Sequence, residues 1–297
     1  NGINSATISV DQPTFAYSQT TGSLTSGTSS AFITPTLTIS GNTLSSGPTS
    51  NSVLLPTGWG LNGNAGTSTL TNFIGTTDNV DLNFRVNNTR AGRIGSASQS
   101  VYFGFQAGPI TNTATGNTGI GFNALAANTT GGGNTAIGYL ASLSNNTGIW
   151  NTSVGGASQM GNTSGISNTS LGYQSLRNNT TGSNNLAVGA NALGSGVLGS
   201  DNTAVGFAAL GTSTVGSGNT AIGFQSGNNN ITGSSNVFLG YQAGFHETGS
   251  NKLYISNSST SVTPLIYGDF SSGRIGINTT SLSAMLTVDA QSLTAPA

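Results

Sequence analysis

Cysteine is absent from the 297 residues, so neither disulfides nor thiolate metal sites can contribute, and the redox compartment is left open. Charge is nearly absent too. Six Lys and Arg stand against seven Asp and Glu, and charged residues make up 4% of the chain, where an ordinary soluble domain carries about 25%. Six cations give no phosphate-neutralising stripe, so nucleic acid is not an expected partner. No run of 18 apolar residues and no charged segment leading into an apolar one occurs, so neither membrane insertion nor an intact signal peptide is expected. The first residue is Asn1 rather than Met, which suggests a processed or truncated product.

What remains is polar without being ionic. Glycine reaches 45 residues, and Ser, Thr and Asn fill much of the rest. Disorder would account for such richness, but disordered chains combine high net charge with few apolar residues, and this one has a net charge of -1 and 34% hydrophobic residues. Order must come from repetition.

The repeat is explicit. Asn117, Asn134, Asn151, Asn168, Asn185, Asn202, Asn219 and Asn236 stand 17 residues apart, each opening a copy close to N-T-A-I-G-F-x-A-L-x(4)-T-G-x-x. Seventeen residues before Asn117, Ser100 opens the same frame, giving nine copies from about 100 to 250. A short fixed period marks a solenoid in which each copy packs on its neighbours. The fifth position is always glycine: Gly104, Gly121, Gly138, Gly155, Gly172, Gly189, Gly206, Gly223 and Gly240. The fourth is always large and apolar: Phe103, Ile120, Ile137, Val154, Leu171, Val188, Val205, Ile222 and Leu239, the expected core.

Positions 4, 6 and 8 share one parity, carrying that apolar residue, an aromatic such as Phe122, Tyr139, Tyr173, Phe207, Phe224 or Tyr241, and then Ala or Ser. This is strand alternation. Positions 3 and 5 are mostly Ala, Ser or Gly, so the opposite face can approach another backbone closely. A second glycine (Gly131, Gly148, Gly165, Gly182, Gly199, Gly216, Gly233) marks a further turn. Stacked at about 4.8 Å, nine coils span roughly 43 Å. The first Asn of each copy is then expected to form a ladder, with a plain turn residue in αL geometry as the simpler reading. Ordering so many small residues costs more entropy than the few buried apolar side chains of one coil return. Burial against identical chains is therefore expected, as a homotrimer with the small-residue face at its axis, with a self-supporting monomeric solenoid as the alternative.

Two similar stretches flank the coils, Leu82 to Gly95 and Leu265 to Gly276, each a strand, a polar turn and a strand opening Gly-Arg-Ile-Gly. They read as hairpin caps over the unpaired end coils. Their arginines, with Arg90, are expected in salt bridges or on carbonyls within a trimer interface, ahead of ligand binding. The expected fold is all-β: a parallel β-solenoid (β-roll) at 100–250, a capping module at 58–99, a second with a tail at 251–297, and a β-rich Ser/Thr/Gly stalk at 1–57.

Catalytic chemistry is sparse. His246 beside Glu247 is the single imidazole, in a last copy that shortens by two residues before Asn251-Lys252, and a triad around it is not expected. Carboxylate pairs for glycoside hydrolysis could be sought in Asp78 with Asp81, or Glu247 with Asp269, though Asp78 and Asp81 lie in a turn-like run. Asp201 is the one Asp within the coils, too few for calcium, and no Gly-Lys-Ser/Thr phosphate loop occurs. Asn-x-Ser/Thr triplets such as Asn128-Thr129-Thr130 follow from composition. No enzyme, cofactor or metal is expected. The second-position threonines (Thr118, Thr135, Thr152, Thr169, Thr203, Thr220) share parity with the apolar row and are expected to face inward, against an ice-binding array.

The coils resemble the head repeats of trimeric autotransporter adhesins, whose shorter copies also run N-[ST]-x-A-[IV]-G and form a left-handed parallel β-roll in a trimer. The 17-residue length and the closing run Asn251-Lys252-Leu253-Tyr254-Ile255 through Gly273-Arg274-Ile275-Gly276-Ile277 are similar to tail-fibre proteins of phages and related sequences in Bacteroidetes-type bacteria. The resemblance covers roughly 58 to 288, and departs from the families in showing neither a membrane anchor nor an endosialidase-type chaperone domain, the latter being a domain that cleavage after trimerisation would remove. It implies an extracellular trimeric fibre: a phage tail fibre contacting a host-surface glycan or protein receptor, or alternatively a bacterial surface adhesin, with a polysaccharide depolymerase as a more distant option.

Overall fold

A computed structural model describes residues 73–110, 113–196, 198–259 and 263–289, together with the backbone of six short strands nearer the N-terminus. The rest of the expected stalk, the start of the first capping module (58–72) and the tail beyond 289 lie outside the described residues. The chain forms two compact units, Asn1–Ile74 and Gly75–Ala297. In the first, β1 (Thr7–Ile8), β2 (Phe15–Ser18) and β3 (Ser23–Ser26) make one antiparallel sheet, and β4 (Leu37–Ser40), β5 (Thr43–Ser46) and β6 (Val53–Leu54) another.

The second unit is a parallel β-solenoid of about nine turns. Each coil contributes one short strand: β9 (Ser100–Phe103), β10 (Thr118–Ile120), β11 (Thr135–Ile137), β12 (Thr152–Val154), β13 (Thr169–Leu171), β14 (Leu186–Val188), β15 (Thr203–Val205), β16 (Thr220–Ile222) and β17 (Val237–Leu239). Successive strands pair in parallel with each residue opposite its equivalent, Thr118 on Thr135 and Ile120 on Ile137. Backbone bonds join coils around the rest of the circumference, as in Leu125 N–H to Ala141 O (3.1 Å) and Thr129 N–H to Asn146 O (2.9 Å). Among the described residues there is no helix, and so none long enough to cross a membrane.

Both ends turn antiparallel. At the N-terminal end β7 (Leu82–Val86) and β8 (Thr89–Gly95) form a hairpin, and β8 joins antiparallel to β9. At the other end β18 (Lys252–Ile255), β19 (Ile266–Asp269) and β20 (Arg274–Ile277) run antiparallel, with β21 (Leu286–Val288) parallel to β20. Lys252, not Asn251, takes the first position of this last rung: Leu253 pairs with Val237, so the last coil is one residue short rather than two.

The interior corrects the expected core. Phe103, Ile120, Ile137, Val154, Leu171, Val188, Val205, Ile222 and Leu239 point out of the coil, half-buried to exposed, with Ile120 41% exposed. Inside lies the third position (Gly119, Ala136, Ser153, Ser170, Ala187, Ala204, Ala221), against positions 8 and 9 of the returning chain, such as Ala124 and Leu125. The small-residue row thus faces its own coil rather than a shared trimer axis. Alternation holds within the strand, Thr118 and Ile120 outward and Gly119 inward, but does not carry past it, because it requires extended backbone. In each copy the strand ends at the fifth-position glycine (φ 131 at Gly121), and positions 7 and 9 are left-handed (Asn123 φ 54, Leu125 φ 55). These turns carry position 8 back inside.

Aromatic residues plug both ends of this narrow interior. Tyr102 fills the first coil against Gly108 and Gly119, where an added Cβ would come within 2.5 and 2.8 Å of its ring. Phe238, Tyr254 and Tyr267 fill the last, with centroids 6.0 and 5.0 Å apart. Gly227 and Gly244 flank Phe238, since any side chain there would strike its ring.

Candidate functional site

The most distinctive surface is the outward side of the ladder. Position 4 stacks its apolar row there, and position 6 adds rings beside it. Phe105, Phe122 and Tyr139 stack with centroids 6.2 and 5.4 Å apart, and Phe207, Phe224 and Tyr241 repeat the arrangement at 5.4 and 5.3 Å. Gly156 and Ala190 interrupt the row on either side of Tyr173, which is 58% exposed. The second-position threonines share this face and point outward, half-buried or exposed, so the inward orientation expected of them is overturned by the same turns that turned out the core. Trp150, 66% exposed, stands at the end of its copy.

Asparagine and glycine build this surface from behind. The amide oxygen of Asn117 accepts the N–H of Asn134 (2.8 Å), that of Asn134 accepts the N–H of Asn151 (2.9 Å), and the pattern continues through Asn168, Asn185, Asn202, Asn219 and Asn236 to Lys252. Each amide nitrogen donates to the carbonyl of the second glycine of its own coil, as from Asn134 to Gly148 (2.8 Å). The left-handed residue is the one before the Asn (Trp150, Ser167, Asn184, Asp201), so the ladder Asn are not the αL turn residues.

Gly104, Gly121, Gly138, Gly155, Gly172, Gly189, Gly206, Gly223 and Gly240 stand one above another: a Cβ on Gly155 would lie 2.5 Å from the Gly172 carbonyl oxygen. The second glycine lacks positive φ where a turn was expected. It is required by close approach instead, a Cβ on Gly148 falling 2.5 Å from Gly165 O.

The coils hold a second asparagine column that the leading motif does not mark. Asn145, Asn162 and Asn179 each donate to the amide oxygen of the Asn 17 residues earlier, at 3.0, 2.8 and 3.2 Å, starting from Asn128, and all four are fully buried. The signal was in the sequence as the same spacing, hidden because the column breaks at Gly196 and Ser213.

The titratable candidates are structurally engaged. His246 is exposed, edge-on to Phe245 (4.8 Å). Glu247 takes the place of a column Asn, accepting from Gly249 N–H and the Tyr254 hydroxyl, both at 2.7 Å. Burial, then this carboxylate, holds the Tyr254 hydroxyl well above the ordinary phenol range. Asp269 bonds Ser271 and Lys252 (3.0 Å), which hold its carboxyl well below the ordinary carboxylate range. Asp81 accepts the Ser96 N–H at 3.2 Å and faces Arg93 at 3.7 Å, while Asp78 lies in a turn closed by the Thr76 hydroxyl. Arg90 donates to Pro109 O and Gly108 O, and Arg274 to Leu282 O. Among the described residues no group of three His, Cys, Asp or Glu could hold a metal. Compared with family models, curated proteins and solved structures, the chain matches none.

Proposed function

We propose that the chain is a structural and adhesive segment of an extracellular fibre, three copies packing through their outward apolar rows. The setting that the resemblance implies is a phage tail fibre contacting a host-surface glycan or protein, with a bacterial surface adhesin as the alternative. The carrying observation is the continuous row from Phe103 to Leu239 with its stacked aromatics, an exposed apolar stripe far longer than a soluble monomer commonly leaves to water. Identical chains are the natural cover, because a ladder of 17-residue period meets its own spacing in a sister copy. Native mass measurement tests this. Three chain masses are expected, falling to one in the double variant Phe122→Ser, Ile137→Ser; a wild-type chain that stays monomeric and soluble at micromolar concentration overturns it.

One observation favours a second reading. Outward Thr beside outward Ile or Val, repeated coil after coil, is a regular flat array of the kind an ice surface requires. Leu186 and Val237 interrupt the threonines, which ranks this reading below the fibre. Thermal hysteresis by the monomeric double variant or the wild-type chain would reverse that order.

A further inference from the structure

Half of the chain's six basic residues meet in one place. In the β7–β8 hairpin Asn83 pairs with Arg93 and Arg85 with Arg90, a bulge between Phe84 and Arg85 bringing them onto one side. Two guanidinium groups directly across an antiparallel pair repel, and a third lies beside them. They line a cleft of about 420 Å³ with Asn83, Gln106 and Ile110. Among the described residues the one carboxylate in an ion pair with the group is Asp81, 3.7 Å from Arg93 Nε, which leaves three cations against one anion.

Their hydrogen-bonding capacity is not used up. Arg93 is 8% exposed, its guanidinium over the Tyr102 ring at 5.1 Å, yet among the described residues its Nε and Nη2 donate to no acceptor. Arg90 Nε is likewise buried without an acceptor, and burial followed by Arg93 lowers its pKa. Arg85 is exposed at the cleft mouth and, among the described residues, bonds only its own turn, to Asn88 Oδ1 at 2.9 Å. Buried donors without acceptors beside repelling like charges are stabilised by an oxyanion. Amides at Asn83 and Gln106 can both donate to and accept from hydroxyls, and Ile110, 87% exposed, offers an apolar wall.

We propose that this cleft binds the carboxylate or phosphate group of an acidic saccharide. The site is complete within one chain, so it stands whether or not the outward rows assemble three copies.

The test titrates the full chain at low salt with glucuronate, glucose 6-phosphate and glucose, following binding by calorimetry and native mass in parallel. Saturable binding of an acidic sugar at least tenfold tighter than glucose is expected, the stronger acidic ligand naming carboxylate or phosphate as the source. Arg85→Gln, at an exposed position, is expected to weaken it about tenfold with an unchanged melting temperature, since a charge-assisted hydrogen bond contributes about that factor. Arg85→Lys recovers part of the loss. Absence of saturation by both acidic sugars, or equal affinity in Arg85→Gln, overturns the proposal. A native mass altered by Arg85→Gln also overturns it, assigning the arginines to a contact between chains.

Discussion

A single asparagine in this protein closes two coils at once. Asn151 accepts the backbone N–H of Asn168 at 3.0 Å and donates to Gly165 O at 2.8 Å, and all three groups are out of water. Asn151→Ala leaves a buried donor and a buried acceptor unmade, and should cost about 2–4 kcal/mol in urea unfolding. Gly155→Ala should cost about the same: its φ of 134 suits only glycine, and the new Cβ would meet Gly172 O at 2.5 Å.

At the C-terminal cap, proton linkage sets the stable range. Asp269 is depressed, by Ser271 first and Lys252 second, so its contribution is present above the unfolded carboxylate pKa and lost as pH falls below it. Tyr254 is raised by burial and then Glu247, so its contribution is present below about pH 10 and lost as pH rises beyond. Melting temperature followed from acid to alkali should be flat between these limits and fall outside them, and Asp269→Asn should remove the acid limb's share from this pair.

The coil is the working element, and its interior is not uniform. One apolar cluster holds Tyr102, Leu125 and Ala136, another runs from Leu176 to Tyr267, and between them lie Ser142, Ser153, Ser158, Gln159, Ser170 and Ser175, all buried. Ser142 and Ser153 bond each other at 2.7 Å, and Gln159 donates to Ser170 at 3.1 Å, but the Gln159 amide oxygen accepts from no donor among the described residues. Leu fills the equivalent site at Leu125, Leu176, Leu193 and Leu210. Ser170 also bonds Ser158, whereas Ser175 keeps its own bond to Gly172 O at 3.0 Å, so the triple variant Ser158→Ala, Gln159→Leu, Ser170→Ala should match or exceed wild type by about 1 kcal/mol in urea unfolding, since replacing all the linked partners with apolar groups removes a burial penalty. The period was legible at this scale, because equivalent residues pair at the spacing the sequence repeats. The facing of the strand was not, because three residues from Thr118 to Ile120 are too few for alternation to survive the left-handed turns at Asn123 and Leu125.

For the solenoid unit as a whole, cohesion rests on stacked backbone, amide columns and small interior side chains, with two ion pairs among the described residues. Few charges are available to be screened, so the unfolding midpoint should change little between low salt and about 1 M NaCl, whereas binding at the arginine cleft should weaken. If chains associate through the outward rows, as proposed, the midpoint should also rise with protein concentration, which a lone solenoid would not show.

The sequence by itself determined the winding. A period of 17, an unbroken fifth-position glycine and a leading asparagine leave only stacked coils in register, because close backbone approach and side-chain amide ladders each require the same residue at the same place in every copy. Only the tertiary structure decided which side is inside. Glycines and αL residues reverse the chain within each coil, so the narrow interior accepts Ala, Ser and buried Asn while Ile120, Phe122 and their counterparts turn outward. Parity along a sequence cannot register a change of direction made by the backbone itself.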